Sequence, residues 1–197
     1  EAAVRLNPKN ALALNVLGTV YYNRDEFALA AEYFERAIRA NPYEWQSYIN
    51  LGNTYFQLKS WYRARQQYRE ALKRIPTAVI ANTALLRARL HYCIGLCYHQ
   101  TQHYEREIDE LAQAIFLDDA FVDGYLQLAD AYQATGQLRA AEQCLRLAIQ
   151  KASRDEDIVR AYVQLGQLYE KAGKPHEAIA AYAAALKLDP TNPLAQD

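Results

Sequence analysis

Residues 51–71 read LGNTYFQLKSWYRARQQYREA, and the spacing inside this stretch decides the fold. Leu51-Gly52 is followed by Tyr55, then Ala64, Tyr68 and Ala71, with Pro76 just beyond. The same echo returns from Leu17-Gly18, Ile94-Gly95, Leu128-Ala129 and Leu165-Gly166, with Tyr21, Tyr98, Tyr132 and Tyr169 in register. Ala30, Ala141 and Ala178 match Ala64, and Glu107 is the exception. Phe34, Leu111, Leu145 and Tyr182 match Tyr68, and Ala37, Ala114, Ala148 and Ala185 match Ala71 without exception. Pro42 and Pro190 match Pro76. A fixed period of about 34 residues marks a solenoid, in which each unit buries its apolar face only against its neighbours.

Each position has a physical reason. Leu14, Leu17, Val20 and Tyr21, or Tyr48, Leu51 and Tyr55, recur at helical spacing. A Gly costs about 1 kcal/mol inside a helix, so its return at one position implies a close approach of two helices. The Ala positions on the second helix serve the same approach from the other side. Asn23-Arg24-Asp25-Glu26, Leu58-Lys59-Ser60, Thr135-Gly136-Gln137 and Ala172-Gly173-Lys174 are polar breaks between paired helices. Asn41-Pro42 and Asp189-Pro190 end second helices, because the residue before Pro disfavours the α region.

These residues resemble the tetratricopeptide repeat (TPR) pattern over nearly the whole chain. Leu14, Tyr48, His91, Tyr125 and Tyr162 fill its leading Trp position. The resemblance implies an all-α, right-handed superhelical solenoid of helix–turn–helix repeats. About five full repeats are expected in a single domain spanning 1–197, at 11–44, 45–78, 88–121, 122–155 and 159–192. Residues 1–10 match the tail of an earlier repeat, with Ala3 and Pro8 in register, and the chain reads as part of a longer protein. An insertion at 79–87 is expected to extend the first helix of repeat three by about two turns, with Asn82 or Thr83 as its cap. Val79, Ile80, Leu85 and Leu86 would then cover a neighbouring helix or meet a partner.

Composition narrows function by exclusion. A net charge of −1 argues against wholesale attraction to nucleic acid or membranes. No apolar run reaches the length of about 20 residues that a membrane helix needs. Phosphate-binding, nucleophile-elbow and zinc-protease motifs are absent, so no enzyme, catalytic residue or cofactor is expected. Asp118-Asp119 lies where the repeats turn and reads as a solvated pair. His91, Cys93, Cys97, His99 and His103 have ligand chemistry, but they spread around a helix instead of converging as zinc requires. Three Cys without framework spacing fit a reducing compartment, so a cytoplasmic location is expected.

Charge is nevertheless polarised. From Lys59 to Arg89 there are eight basic residues (Lys59, Arg63, Arg65, Arg69, Lys73, Arg74, Arg87 and Arg89) against Glu70. From Glu105 to Asp130 there are eight acids (Glu105, Glu107, Asp109, Glu110, Asp118, Asp119, Asp123 and Asp130) against Arg106. Two solvated faces or head-to-tail self-association both fit. Tyr62 and Tyr68 interleave with the arginines as in a nucleic-acid surface, but Tyr68 fills a core position.

The resemblance further implies a concave surface lined by first helices, gripping a partner's extended peptide or helix. By position the lining is Asn15, Thr19 and Tyr22; Gln46, Asn50, Asn53 and Phe56; Arg89, Tyr92, Leu96 and His99; Asp123, Leu126, Asp130 and Gln133; and Arg160, Val163, Gln167 and Glu170. Asn and Gln can both donate to and accept from a peptide backbone. Family members that hold acidic chaperone tails use a Lys/Asn/Arg clamp. Asn15, Thr19, Asn50, Arg89 and Cys93 occupy those positions here, and only Asn50 and Arg89 fit. The expected function is a non-enzymatic scaffold for a protein or peptide partner. The alternatives are a self-assembling module forming homo-oligomers and a regulatory domain of a larger protein.

Overall fold

The structure is a computed structural model that describes residues 10–76 and 81–193. Most of the expected earlier-repeat tail at 1–10, and Val79 and Ile80 of the insertion, lie outside the described residues. Ten α-helices and no strands are present among the described residues. The chain divides into two compact units, 1–101 and 102–197.

The first unit holds α1 (Ala11–Tyr22), α2 (Phe27–Ala40), α3 (Trp45–Gln57), α4 (Trp61–Arg74) and α5 (Ala81–Gln100). Consecutive helices pack on one another, and α1 also touches α3. Helix α5 has 20 residues where α3 has 13, so it begins inside the insertion. It is already helical at Ala81, so Thr83 lies in its first turn instead of capping it. The second unit holds α6 (Tyr104–Leu117), α7 (Val122–Ala134), α8 (Leu138–Lys151), α9 (Asp155–Lys171) and α10 (Pro175–Leu188), with neighbour packing of the same kind and α7 against α9.

Local chemistry sets the helix ends. Asn10 caps α1, its side chain accepting from Ala13 N at 3.0 Å. Glu44 does the same for α3 through Gln46 N at 3.2 Å. The turns inside four hairpins close with one bond: Glu26 N, Ser60 N, Gln137 N and Lys174 N donate to the carbonyls of Tyr21, Tyr55, Tyr132 and Tyr169. That closure needs a left-handed residue, supplied by Asp25, Lys59, Gly136 and Gly173, with Gln102 at the matching place.

The first core gathers Ala30, Phe34, Tyr48, Leu51, Tyr55, Tyr68, Ile94 and Tyr98. In the second, Leu111, Tyr125, Leu128, Leu145, Leu165 and Leu168 are buried. Ala37, Ala71, Ala114, Ala148 and Ala185 are each 0% exposed, which is why no larger residue stands there. A Cβ on Gly52 would stand 2.6 Å from Tyr68 Cε1, and one on Gly18 2.6 Å from Phe34 Cε1. These are the close approaches that the sequence implied.

Candidate functional site

In the first unit, α1 and α3 bring their candidate residues together. Thr19, Tyr22, Asn50 and Asn53 line a recess of about 50 Å³, and Phe34 of α2 forms part of its wall. Thr19 is exposed, and the other three are half-buried. A wider depression of about 340 Å³ is lined by Asn15 and Gln46 with Ala11, Leu12 and Trp45.

The amides of this wall are engaged with one another. Asn50 Nδ2 donates to Asn15 Oδ1 at 3.0 Å, and Gln46 Nε2 donates to Asn50 Oδ1 at 3.2 Å. Gln57 Nε2 reaches Tyr22 Oη at 3.4 Å. Thr19 Oγ1 donates back to its own helix at Asn15 O, 3.0 Å away. Asn53 Oδ1 accepts from the hydroxyl of Tyr68, 2.9 Å away on α4. Tyr22 meets Phe27 edge-on at 5.4 Å, and Phe56 meets Trp61 at 4.9 Å. On α5, Arg89 is exposed while Tyr92, Leu96 and His99 are half-buried.

The second unit builds the same kind of wall from charges. Arg160 pairs with Asp123, and with Asp157 at 3.4 Å. Gln164 Nε2 donates to Asp130 Oδ2 at 3.4 Å, and Lys171 Nζ to Gln133 Oε1 at 3.3 Å. Gln167 is half-buried, and Glu170 accepts from Tyr182 at 2.9 Å. Leu126 and Val163 are corrections to the expected lining. They are 6% and 5% exposed, and Val163 packs with Val159 and Ala185. Val122, Gly124, Tyr125, Leu126, Leu128, Ala129 and Ala131 of α7 are buried, so an apolar residue among them serves the core.

Phe34, Gln57, Gln164 and Lys171 join these walls without standing at the expected lining positions. The last three join partners 35, 34 and 38 residues away, so the repeat period itself was the available signal. Gln164 Oε1 is buried with no hydrogen-bond partner among the described residues, as is Ser47 Oγ.

The thiol–imidazole cluster does not assemble. Among the described residues, no group of three or more His, Cys, Asp or Glu side chains is placed to hold a metal ion. Burial pushes the Cys93 thiol up to about 11 and that of Cys97 to about 12. Asp119 binds Lys151, and Asp118 Oδ1 accepts from Ala120 N, so this acidic pair is a turn. No helix among the described residues is long and apolar enough to cross a membrane.

Models of the tetratricopeptide repeat match residues 1–44, 17–79, 50–120, 122–150 and 159–192. Human protein O-mannosyl-transferase TMTC3 is 26% identical over 97% of this chain, which spans 18% of that protein. Mouse DnaJ homolog subfamily C member 7 is 27% identical over 70% of the chain, spanning 29% of its own length. The chain thus covers less than a third of these relatives. Among solved structures, MamA superposes with a TM-score of 0.75 at 21% identity, covering 88% of this chain and 94% of that one. YrrB, described as a TPR protein with an unusual peptide-binding site, gives 0.74 at 16% identity over 98% and 94%. At these identities the structural likenesses establish the fold.

Proposed function

The chain belongs to the tetratricopeptide repeat family, and from that premise we propose that it is a non-enzymatic scaffold that captures a peptide or helix of a protein partner. The observation carrying this reading is the α1–α3 recess, where Thr19, Tyr22, Asn50 and Asn53 surround a small opening. Its lip offers a hydroxyl, amides and an aromatic ring, the mixture that orients a peptide backbone and anchors one side chain. Arg89 and Arg160 extend the polar wall within their own units. No step of chemistry is needed, since recognition is equilibrium capture on a preformed surface.

The test is capture from native extract on the immobilised chain, with Thr19→Arg as the control. Thr19 is exposed, so the variant should melt as the parent does while crowding the recess. A partner held by the parent and lost by Thr19→Arg supports the reading. A partner held equally by both sinks it.

A second reading is self-association. It is supported by Leu12, Val16 and Val20, which form an exposed stripe on α1 at 73%, 55% and 39%. Concentration-dependent sedimentation abolished by Val16→Glu would favour it. A third reading, a regulatory module within a larger protein, is supported by the length of the relatives. Three cysteines without the spacing of a disulfide framework, two of them buried, fit a reducing compartment such as the cytoplasm.

A further inference from the structure

The wider depression on the α1–α3 wall has a chemistry of its own. Asn15 of α1, Asn41 and Glu44 of the turn after α2, and Trp45, Gln46 and Ser47 of α3 all line it, within the first unit. Glu44 is the one charged residue among the described residues of this lining. Its Oε1 accepts from Gln46 N at 3.2 Å, which leaves Oε2 of the carboxylate for another donor. Asn41 Oδ1 accepts from Tyr43 N at 3.2 Å and holds a second lone pair. Ser47 is 0% exposed, and its Oγ has no hydrogen-bond partner among the described residues.

Other acids of this unit carry a cation. Glu32 meets Arg36 at 3.7 Å, Glu35 meets Arg39 at 3.9 Å and Glu70 meets Lys73 at 2.7 Å. Glu44 is half-buried and meets no cation at ion-pair distance among the described residues. Other rings of the unit carry a cation too. Arg36 stands over Tyr33 at 5.0 Å, Arg74 over Tyr48 at 4.2 Å and Arg63 over Tyr55 at 5.6 Å. No cation stands over Trp45 among the described residues, although an indole attracts cations more strongly than a phenol ring does. Two receivers of positive charge therefore border one depression, and neither is engaged from within the chain.

We infer that this depression seats a basic side chain of the partner peptide, its ammonium or guanidinium group against Glu44 Oε2 and over the Trp45 indole. The cation contributes the N–H donors that the carboxylate, Asn41 Oδ1 and Ser47 Oγ accept. Half-burial of Glu44 makes the pair stronger than one on open surface. An acidic side chain is turned away by the same carboxylate. The inference rests on the peptide-capture reading and adds a charge preference to it. Asn15 and Gln46 line the depression, and both bond Asn50, which lines the recess. The two openings thus share a ridge of amides, so an extended peptide can place one group in each.

The test is an NMR titration of the isotope-labelled chain with acetyl-Ala-Arg-Ala-amide, using the same peptide with citrulline as control. Citrulline keeps the shape of arginine and lacks its charge. The chain has two tryptophans, so the Trp45 indole N–H signal is read against that of Trp61. The arginine peptide is expected to shift the Trp45 signal saturably, and the citrulline peptide to bind about fivefold more weakly. Glu44→Gln should weaken the arginine peptide by about the same factor. It should melt as the parent does, because the glutamine oxygen still accepts from Gln46 N. Glu32→Gln, the same charge change on exposed α2, should bind as the parent does. Parent-like binding by Glu44→Gln, equal binding of the citrulline peptide, or no saturable shift of Trp45 overturns the inference. Each of those outcomes leaves capture at the recess to be judged separately through Thr19→Arg.

Discussion

Tyr68 on α4 donates its hydroxyl proton to Asn53 Oδ1 on α3, 2.9 Å away. Tyr68 is only 2% exposed, and burial raises its hydroxyl pKa far above the usual range. Asn53 thus satisfies a phenol that water scarcely reaches, while its own side chain borders the recess.

Asn53→Ala should therefore destabilise the chain by about 1 kcal/mol, the net worth of one lost hydrogen bond, because the Cys93 thiol also lies within hydrogen-bond reach of the hydroxyl. Chemical denaturation followed by circular dichroism reads this directly. An unchanged midpoint would mean that the Cys93 thiol suffices for the hydroxyl. Thr19→Arg, unlike an Asn53 variant, separates binding from folding.

The same ring explains Gly52. An added Cβ would lie 2.6 Å from Tyr68 Cε1, inside contact distance. Gly52→Ala should cost about 1–3 kcal/mol through overpacking. Ala129 and Leu145, at the positions that match Gly52 and Tyr68, show the chain's own solution, a methyl group in register with a smaller side chain, both fully buried. Combining Gly52→Ala with Tyr68→Leu should cost less than the sum of the single changes. An additive double-mutant cycle would refute the coupling.

Lys59 holds φ at 55° at the hairpin turn where Gly136 and Gly173 hold 76° and 68°. A left-handed non-glycine residue carries a penalty of about 1–2 kcal/mol. Lys59→Gly should raise the melting temperature, and Gly136→Ala should lower it. Movement in the opposite direction at either site would show that side-chain contacts outweigh the backbone.

The thiols set an alkaline limit. Burial pushes Cys144 up to about 11, Cys93 to about 11 and Cys97 to about 12, from an ordinary 9.0. These acids have raised folded pKa values, so their contribution is complete below pH 9 and declines as the unfolded thiols ionise above it. The melting temperature should be insensitive to them at neutral pH and fall from about pH 9 towards 12. Replacing Cys144 by Ala should flatten part of that fall. At neutral pH a thiol reagent should label the folded chain slowly, because the thiolate is scarce.

The hairpins were legible because period, glycine and alanine report geometry that a backbone needs wherever it sits. Leu17, Leu51 and Leu165 point to helices, and Tyr55 and Tyr98 to a core, from spacing alone. The site was less legible. Leu126 reads like a wall residue by position, yet burial depends on what packs over α7. Asn53 reads as an open amide, because sequence does not tell which tyrosine will claim it. Rungs such as Asn50–Asn15 and Gln164–Asp130 become visible only when matching positions in successive repeats are paired.

Those rungs have a consequence for selectivity. An amide already bound to its counterpart one period away has only its second N–H or lone pair left to offer a casual visitor. A ligand must outcompete an intramolecular bond at each rung it opens. As the proposed peptide site, such a surface would turn away the many sequences that offer only backbone polarity. On the proposed reading it rewards the few whose groups replace several rungs together, which would place discrimination in the resting state of the wall.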